Sequence, residues 1–331
     1  MATHERKGCT SHLVLVAPPI SNAVAAQITK EDQKAIDQFR SSHFYMICGR
    51  PKASFENIAV DYDEGYIEIV IKLDSGETAS GRLNIPKMSF FEAAPDELSL
   101  EIKSNQDVLS IFQSDTLVFA TTPDDILMRR GRKQHLIDGF DNYLQLSTYD
   151  LLYVGIAKEN QDSFSRLIER GHKARMDILA SETQRSPGAR VSDETYLLFF
   201  AIQPLIVTIF GINSEFDDED INPSYDYHRI IADAEKAVIS TFKPKYNKQQ
   251  YQNYPLGSDG LYNQGYDAYI YAVAEGYAFN TLFGTIKGDR STEELLFSNE
   301  ADFISVMNDD VTLNISGVDF NIPLDTSLSD K

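Results

Sequence analysis

A small group of polar side chains has the types that suit hydrolysis of a phosphodiester. A short apolar run carries Tyr153, and the helical pattern after it carries Arg166 and His172. Further along the chain, a second helical pattern carries Glu235, and Asn247 follows it. Arginine binds phosphate as a planar fork, while carboxylates, histidine and tyrosine are side chains that hold divalent cations or move protons. The residue types therefore point to chemistry on phosphate esters.

Local patterns predict the elements that carry these residues. Residues 143–146 and 151–156 are predicted to form the two strands of a hairpin. The helix after the hairpin begins at Asp162 or Ser163, where a side-chain oxygen can cap the first turn. Apolar residues recur at helical spacing along one face of this helix, although Gly171 could instead end it.

A second amphipathic helix is predicted over 230–242. Its apolar positions Ala234, Val238 and Phe242 share one face, and Pro244 stops it because proline cannot continue a helix. Glu235 lies on this helix, and a glutamate on an exposed helix face is ordinarily solvated.

Strand-type alternation dominates both flanks of the central segment. Residues 66–73 and 79–85 alternate around a turn and predict a hairpin within a small antiparallel unit over 40–122. The predicted fold class is α+β, in three parts: a β-rich N-terminal domain with one early helix over 1–135, a central α/β domain over 136–256, and a small β-containing region over 257–331.

The ordered residues of the central segment resemble the GIY-YIG nuclease family over about 143–247. Tyr153 to Gly155 (Tyr-Val-Gly) matches the family's second signature. Tyr143 stands about where the tyrosine of the first signature belongs, although the rest of that triplet is absent. Arg166 matches the helix arginine. Glu235, an apolar pair, a proline and Asn247 match the closing pattern of the family.

This resemblance implies a small antiparallel sheet flanked by helices, and an endonuclease that uses one Mg²⁺ (or Mn²⁺) ion. It implies that Glu235 holds the metal and that Arg166 binds the phosphate. Tyr153, with Tyr143 beside it, would orient or deprotonate the attacking water, and Asn247 would fix the site by hydrogen bonds. A tyrosine has a pKa of ~10, so proton removal needs a nearby cation such as Arg166 to lower that pKa.

Two residues compete for the histidine position of the family. Arg170 lies four residues after Arg166, where the family places its histidine, and His172 would reach the site only if the chain bends at Gly171. The residues predicted to bind the substrate are Arg129, Arg130, Arg132, Lys133, Arg170, Lys173 and Arg175. The first four form the densest basic run of the chain, for which a solvated charged surface is the alternative interpretation.

The chain as a whole is acidic, with 30 Lys and Arg against 50 Asp and Glu and a net charge of −20. A nucleic-acid binder ordinarily has a basic footprint. Residues 127–190 supply one, because eleven Lys and Arg there face eight Asp and Glu, a local balance of +3. We expect nucleic acid as the partner, DNA rather than RNA. A protein partner or a homo-oligomer formed through the acidic flanking domains is the alternative.

Other features of the chain exclude several classes. Cys9 and Cys48 are too few for a zinc site or a disulfide framework. The apolar run 13–17 is too short for a signal peptide, and Pro204 splits the run 196–212 into two buried elements. We therefore expect a cytoplasmic protein without membrane contact. The tyrosines between 246 and 271 are expected in strands and core, with a base-stacking platform as the alternative.

Three functions are consistent with these patterns. The first is a metal-dependent endonuclease, in DNA repair, restriction or anti-phage defence. The second is an inactive GIY-YIG-fold module that binds nucleic acid or protein, which the incomplete first signature favours. The third is an acidic interaction factor whose charge mimics or repels nucleic acid.

Overall fold

A large mixed β-sheet forms the body of the protein. The computed structural model describes residues 6–28, 32–92, 100–157, 161–210, 224–292, 298–318 and 322–323. The strands of the described residues are β1 (Arg6–Leu15), β2 (Ile20–Ser21), β3 (Phe44–Gly49), β4 (Ala53–Asp61), β5 (Tyr66–Leu73), β6 (Thr78–Asn84), β7 (Leu100–Ser104), β8 (Leu109–Gln113), β9 (Thr116–Thr121), β10 (Ile137–Gly139), β11 (Thr148–Ile156), β12 (Thr195–Ile209), β13 (Ala268–Val273), β14 (Ala278–Thr281), β15 (Gly284–Lys287), β16 (Phe303–Met307), β17 (Asp310–Asn314) and β18 (Ile322–Pro323).

Helices are short, apart from one of 16 residues. The α-helices of the described residues are α1 (Asn22–Ala25), α2 (Gln33–Arg40), α3 (Ser89–Glu92), α4 (Pro123–Gly131), α5 (Tyr143–Leu146), α6 (Lys173–Ser181), α7 (Val191–Glu194) and α8 (Tyr227–Phe242). A 3₁₀ turn covers Ile85–Lys87, and a π-helical turn covers Ser165–Glu169. No helix among the described residues is long and apolar enough to cross a membrane.

The large sheet joins strands from the whole length of the chain. Its strand order is β15-β14-β11-β3-β12-β1-β13-β16-β17-β18, and β2 pairs with β12 beside this path. Neighbouring strands are antiparallel except β1 with β13 and β11 with β14, which are parallel. All three predicted ranges, 1–135, 136–256 and 257–331, contribute strands to this one sheet.

The predicted α+β fold, a small antiparallel sheet flanked by helices, is therefore wrong. Residues 143–146 form α5, not a strand, because Ser147 N–H closes a helical turn on Tyr143 O and the turn buries Leu146. The strand that pairs with β11 is β3, from the N-terminal part of the chain. The apolar run that was expected to split at Pro204 is also one continuous strand, β12.

Two smaller antiparallel sheets lie between β3 and β11 in the sequence. One has the order β10-β6-β5-β4 and the other β7-β8-β9. They share a hydrophobic cluster of their own with α4, which includes Ile69, Leu109 and Ile126. The hairpin predicted over 66–73 and 79–85 is confirmed as β5 and β6.

Strand β3 lies at the centre of the large sheet and is buried along its whole length. Such a continuous apolar run is typical of a strand covered on both faces. Its alternate residues enter two cores. Phe44 and Met46 join the cluster that contains the apolar face of α8, while Tyr45 and Ile47 join the cluster with α2 and α6.

Helix α8 packs against the sheet through the face that the sequence indicates. The three predicted inward residues, Ala234, Val238 and Phe242, are all buried. Lys243 ends the helix in the left-handed conformation, with φ 47°. The predicted second helix is thus confirmed, and its first turn begins three residues earlier, at Tyr227.

Candidate functional site

Two neighbouring strands place a pair of tyrosines on the same side of the large sheet. Tyr153 of β11 and Tyr45 of β3 have their ring centroids 6.3 Å apart and their planes within 22°. The register of the pair shifts between Leu151 and Tyr153, which leaves Leu152 as the extra residue of a bulge. A bulge re-aims the side chains that follow it. It brings both Leu152 and Tyr153 to the face with α6.

Gly155 leaves the space that the Tyr45 ring fills. A Cβ atom at position 155 would lie 2.6 Å from Tyr45 Oη and 2.8 Å from Tyr153 Cε1, distances that real Cβ atoms do not adopt. The glycine of the Tyr-Val-Gly triplet therefore has a steric reason in this chain, namely the close packing of the two rings.

The helix predicted after β11 is broken at Gly171. The π-helical turn ends just before Gly171, which has φ 73°. A side chain is strained at such an angle, and glycine is not. His172 then begins α6 as its N-cap. This bend carries His172 toward the tyrosines.

His172 is buried and contacts both tyrosines. Its ring centroid lies 5.7 Å from that of Tyr45 and 5.3 Å from that of Tyr153. Nδ1 accepts a hydrogen bond from the Arg175 backbone N–H at 3.3 Å, so the proton of the neutral ring is on Nε2 and points to Tyr45 Oη at 3.1 Å. Burial, with Arg166 and Arg175 nearby, lowers the pKa of His172 to about 4. The ring is neutral at neutral pH and acts as a donor to Tyr45.

Arg166 approaches the tyrosines from the π-helical turn. Its Nε donates a hydrogen bond to Tyr45 Oη at 3.0 Å. Neither terminal nitrogen of its guanidinium has a hydrogen-bond partner among the described residues. One side of the planar fork is therefore fixed by Tyr45, while the other is open to an anion.

Glu235 of α8 supplies a carboxylate to the site. Burial raises its pKa to about 7, and the positive charges of Arg166 and Lys236 and the Ile156 backbone amide oppose this rise. No Lys, Arg or His side chain of the described residues lies within 4.0 Å of its carboxylate as an ion-pair partner. Glu235 can therefore bind a cation or exchange a proton near neutral pH.

Asn247 fixes the free edge of β11. Strand β14 pairs with β11 only as far as Asp150. Beyond that point Tyr246 N–H donates to Leu152 O, and the Asn247 side chain takes both groups of Val154: Oδ1 accepts from the amide at 2.9 Å and Nδ2 donates to the carbonyl at 2.8 Å. Asn247 thus anchors the chain after α8 to the strand that carries Tyr153.

Four of these residues, Tyr153, His172, Glu235 and Asn247, line one pocket with a volume of about 500 Å³, which we call the site pocket, and Tyr45 and Arg166 are not part of its lining. The lining residues used below are Tyr153, His172, Glu235, Asn247, Lys173 and Lys248. Lys173 and Lys248 are exposed at the rim together with Lys245, while the acidic lining residues are Glu235 and Asp177. Lys245 is paired with Glu182, so Lys173 and Lys248 balance the two acidic residues, and the site pocket is close to neutral in an acidic protein.

Burial raises the pKa of both tyrosines. For Tyr153 the Glu235 charge adds to this effect, and Arg166 and the Tyr45 hydroxyl oppose it. For Tyr45 the desolvation also outweighs the contribution of Arg166. Arg166 therefore does not bring either tyrosine pKa below its ordinary value, which is the condition that proton removal by a tyrosine needs. Both hydroxyls keep their protons at neutral pH and act as hydrogen-bonding groups.

Tyr143 does not belong to the site. It lies on α5 among the small-sheet cluster, with the Arg130 guanidinium 5.4 Å from its ring centroid and its hydroxyl close to Gly276. Tyr45 occupies the place beside Tyr153 that was predicted for Tyr143. The sequence gives one indication of Tyr45, its position inside an apolar strand-like run. A tyrosine in such a run is ordinarily a core residue, so this position does not identify it as a site residue.

Each basic side chain of the run 129–133 forms an ion pair with an acidic residue outside the run. Arg129 pairs with Asp125, Arg130 with Asp141, Arg132 with Glu275, and Lys133 with Asp289. The Arg132 pair is the most buried, since the Glu275 side chain is 0% exposed. Arg132 and Lys133 thus join helix α4 to the C-terminal part of the chain, while Arg129 and Arg130 pair with acids nearby in the sequence. These contacts do not indicate substrate binding by the run.

The remaining three basic candidates differ from one another. Lys173 lines the site pocket. Arg175 donates to Asn22 Oδ1 and to Leu167 O, so its guanidinium serves the fold. Arg170 is exposed and does not line the site pocket, and His172 takes the place near the tyrosines.

Comparison with known proteins adds no assignment. The sequence matches no protein-family model, and neither a curated protein nor a solved structure is significantly similar to it.

Proposed function

We propose that the protein is a metal-dependent endonuclease that hydrolyses phosphodiester bonds of nucleic acid at the site pocket. One observation carries this proposal. Tyr153, His172 and Glu235 come from three separate segments and line a single pocket. Arg166 does not line it, but it is hydrogen-bonded to Tyr45 beside Tyr153, and its charge acts on Glu235. A carboxylate, an arginine with open terminal nitrogens and tyrosine hydroxyls, held close to one another, are the groups that phosphodiester hydrolysis needs.

The donor set fits one hard cation with few protein ligands. Among the described residues no cluster of three or more His, Cys, Asp or Glu side chains could hold a metal. Mg²⁺ keeps several waters and needs only one or two carboxylates. Glu235 supplies one such carboxylate, and no Lys or Arg side chain of the described residues forms an ion pair with it. When bound there, Mg²⁺ would stabilise negative charge on the phosphate and on the leaving oxygen.

The protein's own side chains would bind and orient the reactants. The two terminal nitrogens of Arg166 would donate hydrogen bonds to two non-bridging oxygens of the phosphate. Lys173 and Lys248 would add positive charge at the rim. The Tyr153 hydroxyl would orient the attacking water. Tyr45, which accepts from both Arg166 and His172, positions the arginine. Water adds across one P–O bond, its hydroxyl going to phosphorus and its proton to the leaving oxygen.

A second candidate is a module that binds a phosphodiester without cleaving it. The raised pKa values of Tyr45 and Tyr153 favour it, because neither hydroxyl readily accepts a proton from water. Under this alternative Arg166 and the rim lysines would still bind the backbone of a nucleic acid.

Incubation of the purified chain with supercoiled plasmid, single-stranded DNA and single-stranded RNA separates the two functions. The endonuclease proposal expects cleavage with Mg²⁺, none with EDTA, and a loss of at least a hundredfold in Glu235→Gln. Glu101→Gln is the matched control, since Glu101 is exposed on β7. Binding of nucleic acid without cleavage in any arm would support the module. No binding and no cleavage would refute both.

A further inference from the structure

A second pocket adjoins the site pocket and shares part of its wall. It has a volume of about 550 Å³, and most of its lining comes from the loop 248–259 after α8, so we call it the loop pocket. Lys248, Gln249 and Tyr251 line both pockets. Each volume falls in the ~300–1,000 Å³ range of small-ligand sites. The two pockets are therefore neighbours, and Glu235 lines the site pocket alone.

The loop pocket is lined by unpaired carboxamides. Gln249, Gln252 and Asn253 are exposed, and none of their side chains makes a hydrogen bond with a described residue. A carboxamide presents a donor and an acceptor side by side. The edge of a nucleobase presents the complementary pattern, and Asn and Gln are the side chains that pair with it in two hydrogen bonds.

Tyr251 lies at the boundary between the two pockets. It is half-buried, and burial, together with the nearby negative charge of Glu235, raises the pKa of its hydroxyl to about 12. Its φ of 48° is left-handed, a conformation that a large side chain adopts only where the surrounding structure requires it. The ring packs partly against the core of the large sheet and lines both pockets, so its exposed part is where a base can contact an aromatic side chain.

Both ends of the loop are fixed to the elements that carry the site. Asn247 holds its start to Val154 of β11. Asp233 of α8, which is fully buried, accepts hydrogen bonds from Tyr254 Oη at 2.6 Å and from Leu261 N–H at the far end. Lys236 of the same helix pairs with Asp259. One helix thus sets the position of the loop pocket relative to Glu235, and a preformed pocket loses less entropy on binding.

We propose that the loop pocket binds one unpaired nucleobase of the strand whose phosphate lies in the site pocket. This inference rests on the proposed phosphodiester chemistry. Lys248, exposed between the pockets and without an ion-pair partner among the described residues, is placed to meet the phosphate that links the two positions. The base must be unpaired because its hydrogen-bonding edge and its faces are both used. The substrate is then a single strand or an unpaired end.

Binding of labelled twelve-nucleotide single strands, measured by fluorescence anisotropy in EDTA, tests this inference without cleavage. Each strand is used in a base-bearing and an abasic form, as DNA and as RNA. The wild-type chain is expected to bind the base-bearing form about tenfold more tightly. The double variant Gln252→Ala, Asn253→Ala is expected to lose most of that ratio, while the dependence of Kd on salt stays unchanged because the phosphate contacts remain.

Gln106→Ala is the matched control, since Gln106 is an exposed carboxamide before β8, and it should keep the full ratio. The two single variants are measured as well, and circular dichroism reports folding. Equal binding of base-bearing and abasic strands by the wild type, or a full ratio in the double variant, would overturn the inference. If Mg²⁺-dependent cleavage persists in that case, the proposed hydrolysis survives it. Base-dependent binding without cleavage would support the loop pocket and refute the hydrolysis.

Discussion

Replacement of Gly155 by alanine should disable the site while leaving the protein folded. The added Cβ would lie 2.6 Å from Tyr45 Oη and 2.7 Å from Tyr45 Cζ. Carbon atoms pack at ~3.5–4.0 Å, so the Tyr45 ring must move by about 1 Å. Such a shift lengthens the bonds of Tyr45 to Arg166 and His172, now 3.0 and 3.1 Å, beyond hydrogen-bonding distance.

The expected cost has two parts that are measured separately. Overpacking should lower the free energy of unfolding by about 1–3 kcal/mol in urea denaturation. Misplacement of Arg166 should lower the single-turnover cleavage rate by about 10²-fold. Gly8→Ala is the matched control, because Gly8 is also a strand glycine of the large sheet and a Cβ there meets its nearest atom at an ordinary 3.7 Å. A Gly155→Ala variant as stable and as active as the Gly8→Ala control would refute the proposed role of Tyr45.

Three further substitutions separate catalytic groups from structural ones. Because burial raises the folded-state pKa of Glu235 from 4.5 to about 7, the native state holds the proton longer, and stability should fall as pH rises from 4.5 to 7 by at most about 3 kcal/mol. Glu235→Gln should remove this fall in urea unfolding at pH 5 and pH 8, and parallel pH profiles for both proteins would contradict it. Asn247→Ala should cost about 3 kcal/mol in thermal or urea unfolding, because it strips both hydrogen bonds from buried Val154; a loss under about 1 kcal/mol would contradict the anchoring role. Arg132→Gln should cost about 1–3 kcal/mol, because it removes the two Arg132 hydrogen bonds of buried Glu275 and leaves it the longer Arg290 pair at 3.4 Å, and the salt dependence of nucleic-acid affinity should not change; weaker binding at unchanged stability would restore the basic run as a substrate contact.

Sequence patterns predicted the parts of the fold that depend on near neighbours. The hairpin of β5 and β6 follows from period-two alternation around a short turn, and α8 follows from its apolar face. Both signals lie within a dozen or so residues, where side-chain period and backbone geometry are directly linked. The bend that brings in His172 also has a local signal, the glycine at position 171 with φ 73°.

The central sheet could not be predicted from such patterns. Strand β11 pairs with β3, about a hundred residues earlier in the chain, and no local feature selects that partner over a nearer one. The resemblance suggested a nearer partner and so placed Tyr143 beside Tyr153, the position that Tyr45 fills. The ion pairs of the basic run could not be predicted for the same reason. The acids that pair with Arg132 and Lys133 lie far along the chain, at Glu275 and Asp289.

The single-turnover rate of strand cleavage as a function of Mg²⁺ concentration tests the central claim most directly. The wild-type chain should show a rate that saturates with Mg²⁺ and vanishes with EDTA, and the Glu101→Gln control should behave in the same way. Glu235→Gln should lower the rate at saturating Mg²⁺ by at least about 10²-fold, since Glu235 is the carboxylate proposed to hold the ion. Cleavage by Glu235→Gln at the wild-type rate, or a wild-type rate that does not depend on Mg²⁺, would contradict the proposed metal-dependent hydrolysis at the site pocket.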